Sequence, residues 1–142
     1  MIEWLIILLR AAGAGMMLLA VVHIPMSRQL GWREDAARMS PANESIFHVH
    51  TFFVCVMLAI MGVRALFAPQ IFIEHTVAAA WLSWTYAVVW ALRLYVQWFV
   101  FPAALWRGKR FETIMHGLFT VIWTALTVLF VTCGLVQSGR WG

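Results

Sequence analysis

The sequence predicts an all-α integral membrane protein, an antiparallel four-helix transmembrane bundle built as a single domain over residues 1–142. Three observations carry that prediction. Hydrophobic residues make up 63% of the chain and charged residues 11%, against the roughly 45–50% and 25% usual for soluble domains. The mean hydropathy is +0.85. Four separate apolar stretches reach the about 20 residues that a helix needs to cross the hydrocarbon core. A soluble globule of this length cannot hide so much apolar side chain. Disordered, collagen-like and disulfide-stapled classes fail too, since 9 Gly and 4 Pro show no period and only 2 Cys occur.

The spans are expected over residues 2–26, 45–67, 74–101 and 111–137. Pro25 and Ser27 close the first, and Ser40-Pro41-Ala42-Asn43-Glu44 reads as a turn feeding a helix N-terminus. Ala68-Pro69-Gln70 makes a short hairpin connection, and Pro102 and Gly108 bracket the third link. Charge orients the spans. Arg28, Arg33 and Arg38 lie in the first connection and Arg107, Lys109 and Arg110 in the third, while the other side offers only Arg64 and Arg140. The positive-inside rule therefore places both basic connections in the cytoplasm and both termini outside a plasma (inner) membrane. The net charge of +4 is accounted for by these connections and is no argument for a nucleic-acid partner. Glu3 ahead of the first apolar run, with no basic n-region and no small-residue cleavage site, argues against a removed signal peptide. Trp32, Trp98, Trp106 and Trp141 fall near span boundaries, as aromatic belts require.

Each span carries a stripe of small or polar residues at helical spacing. The stripes are Arg10, Gly13, Met17, Ala20, His23; then Glu44, His48, Thr51, Cys55, Ala59, Gly62; then Ser83, Tyr86, Trp90, Arg93, Gln97; and last Glu112, His116, Thr120, Thr124, Thr127. Lipid tails cannot satisfy these groups, so the stripes are expected to face one another.

The most informative feature is a layer of histidines. His23, His48, His50 and His116 fall about 5–8 Å below the same interface at a 1.5 Å rise per residue, whereas His75 belongs to the other side. Arg10 lies about 20 Å from that level. Glu44 stands one turn from His48 and Glu112 one turn from His116. The two openings, Glu44-Ser-Ile-Phe-His48 and Glu112-Thr-Ile-Met-His116, look alike and follow Trp32-Arg33 and Trp106-Arg107, with Gln97 in the place of His23. A weak internal repeat of two equivalent hairpins is one reading of this, and a chance match over five positions is the other. His48 and His50 point about 200° apart on a helix and cannot both serve one site; the stripe favours His48, but His50 shares its face with Met57 and Arg64 and stays in contention.

A carboxylate and an imidazole one turn apart can ligate a metal, or the carboxylate can orient the ligand. His23, His48, His50, His116, Glu44 and Glu112 are thus the expected ligands of a transition metal (Fe, Cu or Zn), following the logic of carboxylate-rich four-helix metal sites. The rival cofactor is haem b, with His23 and His116 or His50 and His116 as its axial ligands and Arg93 and Arg110 meeting its propionates. Each histidine also has a plain reading as a hydrogen-bonded interfacial residue, and each glutamate as a first-turn acid that suits the helix dipole. Glu112 and Arg93 are the expected catalytic groups, Glu112 as ligand or proton acceptor and Arg93 as a pair for Glu112 or an anionic substrate group. Gln97 and Arg110 complete the cofactor surroundings. Cys55 and Cys133 lie at different depths, so no disulfide is expected. No Walker loop, GxSxG elbow, CxxC, HExxH or GxGxxG occurs.

The expected function is a membrane-embedded metal- or haem-binding redox protein acting on a quinone or lipid that enters from the bilayer. A homo-oligomer or a subunit of a membrane complex is the expected assembly. A proton-coupled transporter or pore using Arg10, Arg93 and the histidines, and a purely structural subunit, are the alternatives.

Overall fold

In the computed structural model, residues 2–29 and 31–139 are described, the side chains of Ser27, Arg28 and Gln29 excepted. Arg140 and Trp141, placed above in the outer tail, and the side chain of Arg28 fall outside that description. The described residues form helices and turns, with no strand among them. They comprise α1 (Ile2–Gln29), the short α2 (Trp32–Ala36), α3 (Pro41–Phe67), a 3₁₀ turn (Pro69–Phe72), α4 (Val77–Tyr95) running into a π turn (Val96–Val100), a second 3₁₀ turn (Ala103–Leu105) and α5 (Arg110–Gln137).

Four helices are long and apolar enough to cross a membrane, over Ile2–Met26, Pro41–Phe67, Val77–Val100 and Arg110–Gln137. This is the pattern of a multi-pass membrane protein. Capping sets two of the starts. Ser40 Oγ accepts from the Asn43 N–H with Pro41 at the first helical position, and Thr76 Oγ1 accepts from the Ala79 N–H at 3.1 Å. The Thr76 cap starts α4 three residues later than the expected span, leaving Glu74 and the exposed His75 in the preceding turn. Pro25 does not end α1, which continues through it to Gln29; proline removes one backbone donor but leaves the flanking turns intact.

The chain divides into two compact units, Ile6–Pro69 and a second made of Met1–Leu5 with Gln70–Gly142. In the first, α1 and α3 approach backbone to backbone. A Cβ placed on Gly13 falls 2.5 Å from the Leu66 nitrogen and 2.7 Å from the Gly62 carbonyl, and one on Gly62 falls 2.9 Å from the Gly13 carbonyl. Only glycine permits such a crossing, the small-residue packing by which apolar helices associate in lipid. Because Leu66 is next to the last residue of α3, Arg10, one turn before Gly13, lies level with the end of that helix and is exposed.

The second unit is an antiparallel pair, α4 against α5. Its core stacks aromatic rings: Phe72, Tyr86 and Phe130 meet with centroids 4.9–5.3 Å apart, and the Trp84 indole lies over Gly134, 2.7 Å from where a Cβ would stand. The buried Ser83 hydroxyl donates to the Phe72 carbonyl at 3.3 Å. The third-span stripe reads correctly, with Ser83, Tyr86, Trp90 and Gln97 all buried. The fourth does not. The buried face of α5 runs through Trp123, Leu126, Phe130, Cys133 and Val136, and Thr124 is exposed. Thr120, Thr124 and Thr127 each donate to the carbonyl four residues back on their own helix at 2.7–2.8 Å. Hydroxyls satisfied in this way need no facing partner.

Candidate functional site

The most connected polar group of the second unit gathers where α4 passes into its π turn. The Phe101 N–H donates to the Val96 carbonyl five residues back at 3.2 Å, completing that turn. The turn closes the C-terminal end of the helix, a usual place for a π turn. Gln97, on the turn, is 4% exposed. Its Oε1 accepts from Arg93 Nη1 at 3.3 Å, and its Nε2 donates to His116 Nδ1 at 2.7 Å and towards the His116 carbonyl at 3.5 Å.

The proton positions follow from what each partner can do. A guanidinium only donates, so the amide oxygen must face Arg93 and the amide N–H₂ must face the imidazole. Nδ1 of His116 is then an acceptor, and the ring proton lies on Nε2. Arg93, one turn before Gln97, thereby sets the tautomer of a histidine on another helix.

Aromatic rings enclose the same atoms. The Trp106 indole stacks on the His116 ring at 3.8 Å between centroids and 10° between planes. The Thr113 hydroxyl lies 2.7 Å from the Trp106 carbonyl and 2.8 Å from that of Lys109, so it donates to the turn carrying the indole and ties it to the first turn of α5. Arg93 Cζ stands 5.4 Å from the Phe101 ring centre and 5.0 Å from that of Trp123, close enough for cation–π attraction. Trp123 in turn stacks on Trp90 at 5.1 Å and on Phe119 at 5.4 Å. The buried indole N–H groups of Trp90 and Trp123 have no acceptor among the described residues.

The expected pairing of Arg93 with Glu112 is not formed. Glu112 is exposed in the first turn of α5, and Arg93 instead bonds the neutral Gln97, so no carboxylate balances its charge among the described residues. Arg110 opens α5 and, with Gly108, Lys109, Thr113 and Ile114, lines an open basic depression.

The first unit holds His23, His48, His50 and Glu44. His23 Nδ1 lies 2.7 Å from the Leu19 carbonyl, and His50 Nδ1 lies 2.9 Å from the Ile46 carbonyl. A carbonyl only accepts, so Nδ1 carries a proton in both rings, and in the neutral imidazole Nε2 then presents a lone pair. His48 and Glu44, both substantially solvent-accessible, stand 3.9 Å apart. Trp32, on α2, meets His23 edge-on at 6.4 Å and Phe47 at 6.2 Å, and Phe47 meets His48 at 5.6 Å. Among the described residues, no group of three or more His, Cys, Asp or Glu side chains that could hold a metal ion occurs.

Sequence reasoning named Arg93, Gln97 and His116 but missed what joins them. The 19-residue separation of Gln97 from His116 carries no local signal, whereas the i, i+4 relation of Arg93 to Gln97 does. It also missed Trp106 as a site residue, assigning it to the interfacial belt. Comparison with family models, with curated proteins and with solved structures found no match.

Proposed function

We propose that the chain is a multi-pass protein of the plasma (inner) membrane that binds a quinone at the Arg93–Gln97–His116 group, as part of a membrane redox system. In this reading the two helical hairpins close into an antiparallel four-helix bundle with both termini outside, alone or with further subunits. One observation carries the proposal: the orientation of Gln97 leaves His116 presenting an N–H at Nε2 beside a guanidinium with unused donors, among flat aromatic rings. Quinone carbonyls are acceptors on a planar ring, and they match those donors in charge and hydrogen bonding. The site lies within helices apolar enough to span lipid, so a tailed ligand reaches it from the bilayer. His116 donates to one carbonyl, Arg93 supplies positive charge near it, and Trp106 stacks against the imidazole to hold its plane.

The test uses purified protein in lipid nanodiscs titrated with a short-tailed quinone, read by quenching of tryptophan fluorescence. Saturable quenching that weakens about tenfold or more in His116→Ala, the scale of one buried hydrogen bond with its desolvated partner, supports the proposal. Quenching that is absent, or indifferent to His116, removes it.

A second reading, haem b in the first hairpin, is favoured by the lone pairs of His23 and His50. Each has its Nδ1–H anchored on its own helix, the arrangement that orients an imidazole for iron, and two axial imidazoles suffice for haem. When bound, haem would supply one-electron transfer; His23 and His50 would hold it. A Soret band in the purified protein that shifts on reduction and is lost in His23→Ala supports this reading, and a featureless visible spectrum after haem supplementation removes it.

A further inference from the structure

The two basic connections differ in whether their charge is answered. In the first, Arg33 and Arg38 stand beside Glu34 and Asp35, and Arg38 pairs with Asp35 at 3.6 Å. In the third, Arg107, Lys109 and Arg110 are all exposed, and none pairs with a carboxylate among the described residues. Glu112, the nearest acid in sequence, is exposed and forms no ion pair among them either. Lys109 and Arg110 line the open depression with Gly108, Thr113 and Ile114, and its volume is about 520 Å³, within the range of small-molecule clefts. The turn that forms it is held in place. Gly108 takes a left-handed φ of 83°, a conformation that glycine adopts without penalty, and the Thr113 hydroxyl ties the carbonyls of Trp106 and Lys109. Beyond the depression, Ile114, Leu118 and Val121 follow at steps of four and three residues, so they share one face of α5. All three are exposed.

We propose that the connection between α4 and α5 binds one anionic phospholipid, with its phosphate on Lys109 and Arg110 and its acyl chains along Ile114, Leu118 and Val121. The site is separate from the Arg93–Gln97–His116 group and does not depend on the quinone reading. Two features select this occupant. Unanswered cations at the end of a helix apolar enough to cross a membrane attract anionic headgroups, and Arg107 adds to that attraction. The apolar strip begins at Ile114, which itself lines the depression, so charge and hydrocarbon surface meet in the order in which a phospholipid carries them. A free anion makes no use of that strip. The first connection, whose cations stand among carboxylates, lacks the unanswered charge that the site requires.

The experiment titrates the full chain in detergent micelles with dihexanoyl phosphatidylglycerol and, separately, with the zwitterionic phosphatidylcholine of the same chain length. Native mass spectrometry counts the lipids retained. Wild type is expected to hold one phosphatidylglycerol about tenfold or more tightly than phosphatidylcholine, at about fivefold for each basic side chain engaged. The double variant Lys109→Gln with Arg110→Gln is expected to lose about tenfold or more for phosphatidylglycerol and to leave phosphatidylcholine unchanged. The matching pair Arg33→Gln with Arg38→Gln is expected to change neither by more than about twofold. Equal retention of the two lipids by wild type overturns the proposal. So does an equal loss in the two double variants, which would show diffuse surface charge in place of a site. Displacement of the bound lipid by an equal concentration of glycerol phosphate, the same anion without chains, overturns the part assigned to the apolar strip. The headgroup comparison needs no variant, so it decides the matter even where a substitution impairs folding.

Discussion

The two hairpins share a plan and differ in one chemical detail. In each, a connection tryptophan follows nine residues after a polar side chain near the end of the leading helix: Trp32 after His23, Trp106 after Gln97. In each, the indole packs on a histidine, edge-on to His23 in the first and flat on His116 in the second. The partners of those histidines differ. His23 finds a backbone carbonyl and must donate from Nδ1, while His116 finds an amide N–H₂ and must accept at Nδ1. The first hairpin therefore presents a lone pair at Nε2 and the second presents a proton. One side-chain type, on the leading helix of one hairpin and on the trailing helix of the other, presents a lone pair or a proton according to what touches its other nitrogen.

The largest expected break in the comparison concerns how each hairpin is closed. In the first, Gly13 abuts backbone atoms of Leu66 and Gly62, which cannot give way singly; in the second, Gly134 abuts the side chain of Trp84, which can. Gly13→Leu is expected to destabilise the protein by about 3 kcal/mol, the upper part of the usual overpacking range. Gly134→Ala is expected to cost about 1 kcal/mol as the indole shifts. Thermal unfolding in detergent, followed by exposure of Cys55 and Cys133 to a thiol-reactive dye, measures both. Equal losses would show that the two crossings are not different in kind.

The second expectation converts one hairpin to the pattern of the other. Gln97→Glu puts a carboxylate, an acceptor only, between Arg93 and His116. His116 Nδ1 is then expected to carry a proton, as in His23 and His50. Side-chain nitrogen shifts of isotope-labelled histidine distinguish the two states directly. Wild type is expected to show His116 protonated at Nε2 and the other two at Nδ1. A His116 already protonated at Nδ1 in wild type would reverse the assigned orientation of Gln97 and remove the contrast between the hairpins.

What could be read in advance follows from range. Four spans were legible because 20-residue apolar runs are a property of composition, and their ends moved most where the Ser40 and Thr76 caps set the helix starts. The α4 stripe was legible because Ser83, Tyr86, Trp90 and Gln97 are polar or bulky groups that lipid does not satisfy. The α5 stripe was misread because a threonine in a helix satisfies itself: period alone cannot tell a self-bonded hydroxyl from one that needs a neighbour. Arg93 was recognised with Glu112 or an anionic substrate group as its expected partner, since charge suggested an anion where position gave a neutral amide one turn away. The π turn, the stacking of Trp106 and the three tautomers were not legible. Each depends on which single atom lies within about 3 Å of another, and no spacing rule reaches that far.

The smallest expected effects separate hydroxyls that tie elements together from those that do not. Thr113 Oγ1 reaches the Trp106 carbonyl seven residues earlier as well as that of Lys109, so it holds the turn that presents the indole to His116. Thr124 Oγ1 reaches only the Thr120 carbonyl on its own helix. Thr113→Val is expected to lose about 1 kcal/mol, one net hydrogen bond, and to loosen the Trp106 stack enough to blunt quinone quenching of tryptophan fluorescence. Thr124→Val removes a bond that the helix backbone does not need and replaces a hydroxyl by a methyl on an exposed face, so its effect is expected within about 0.5 kcal/mol of zero. The pair isolates connection from chemistry, because both substitutions are the same and only the reach of the hydroxyl differs. If Thr124→Val proved as costly as Thr113→Val, the threonine face of α5 would be packing against something that its own carbonyls do not replace.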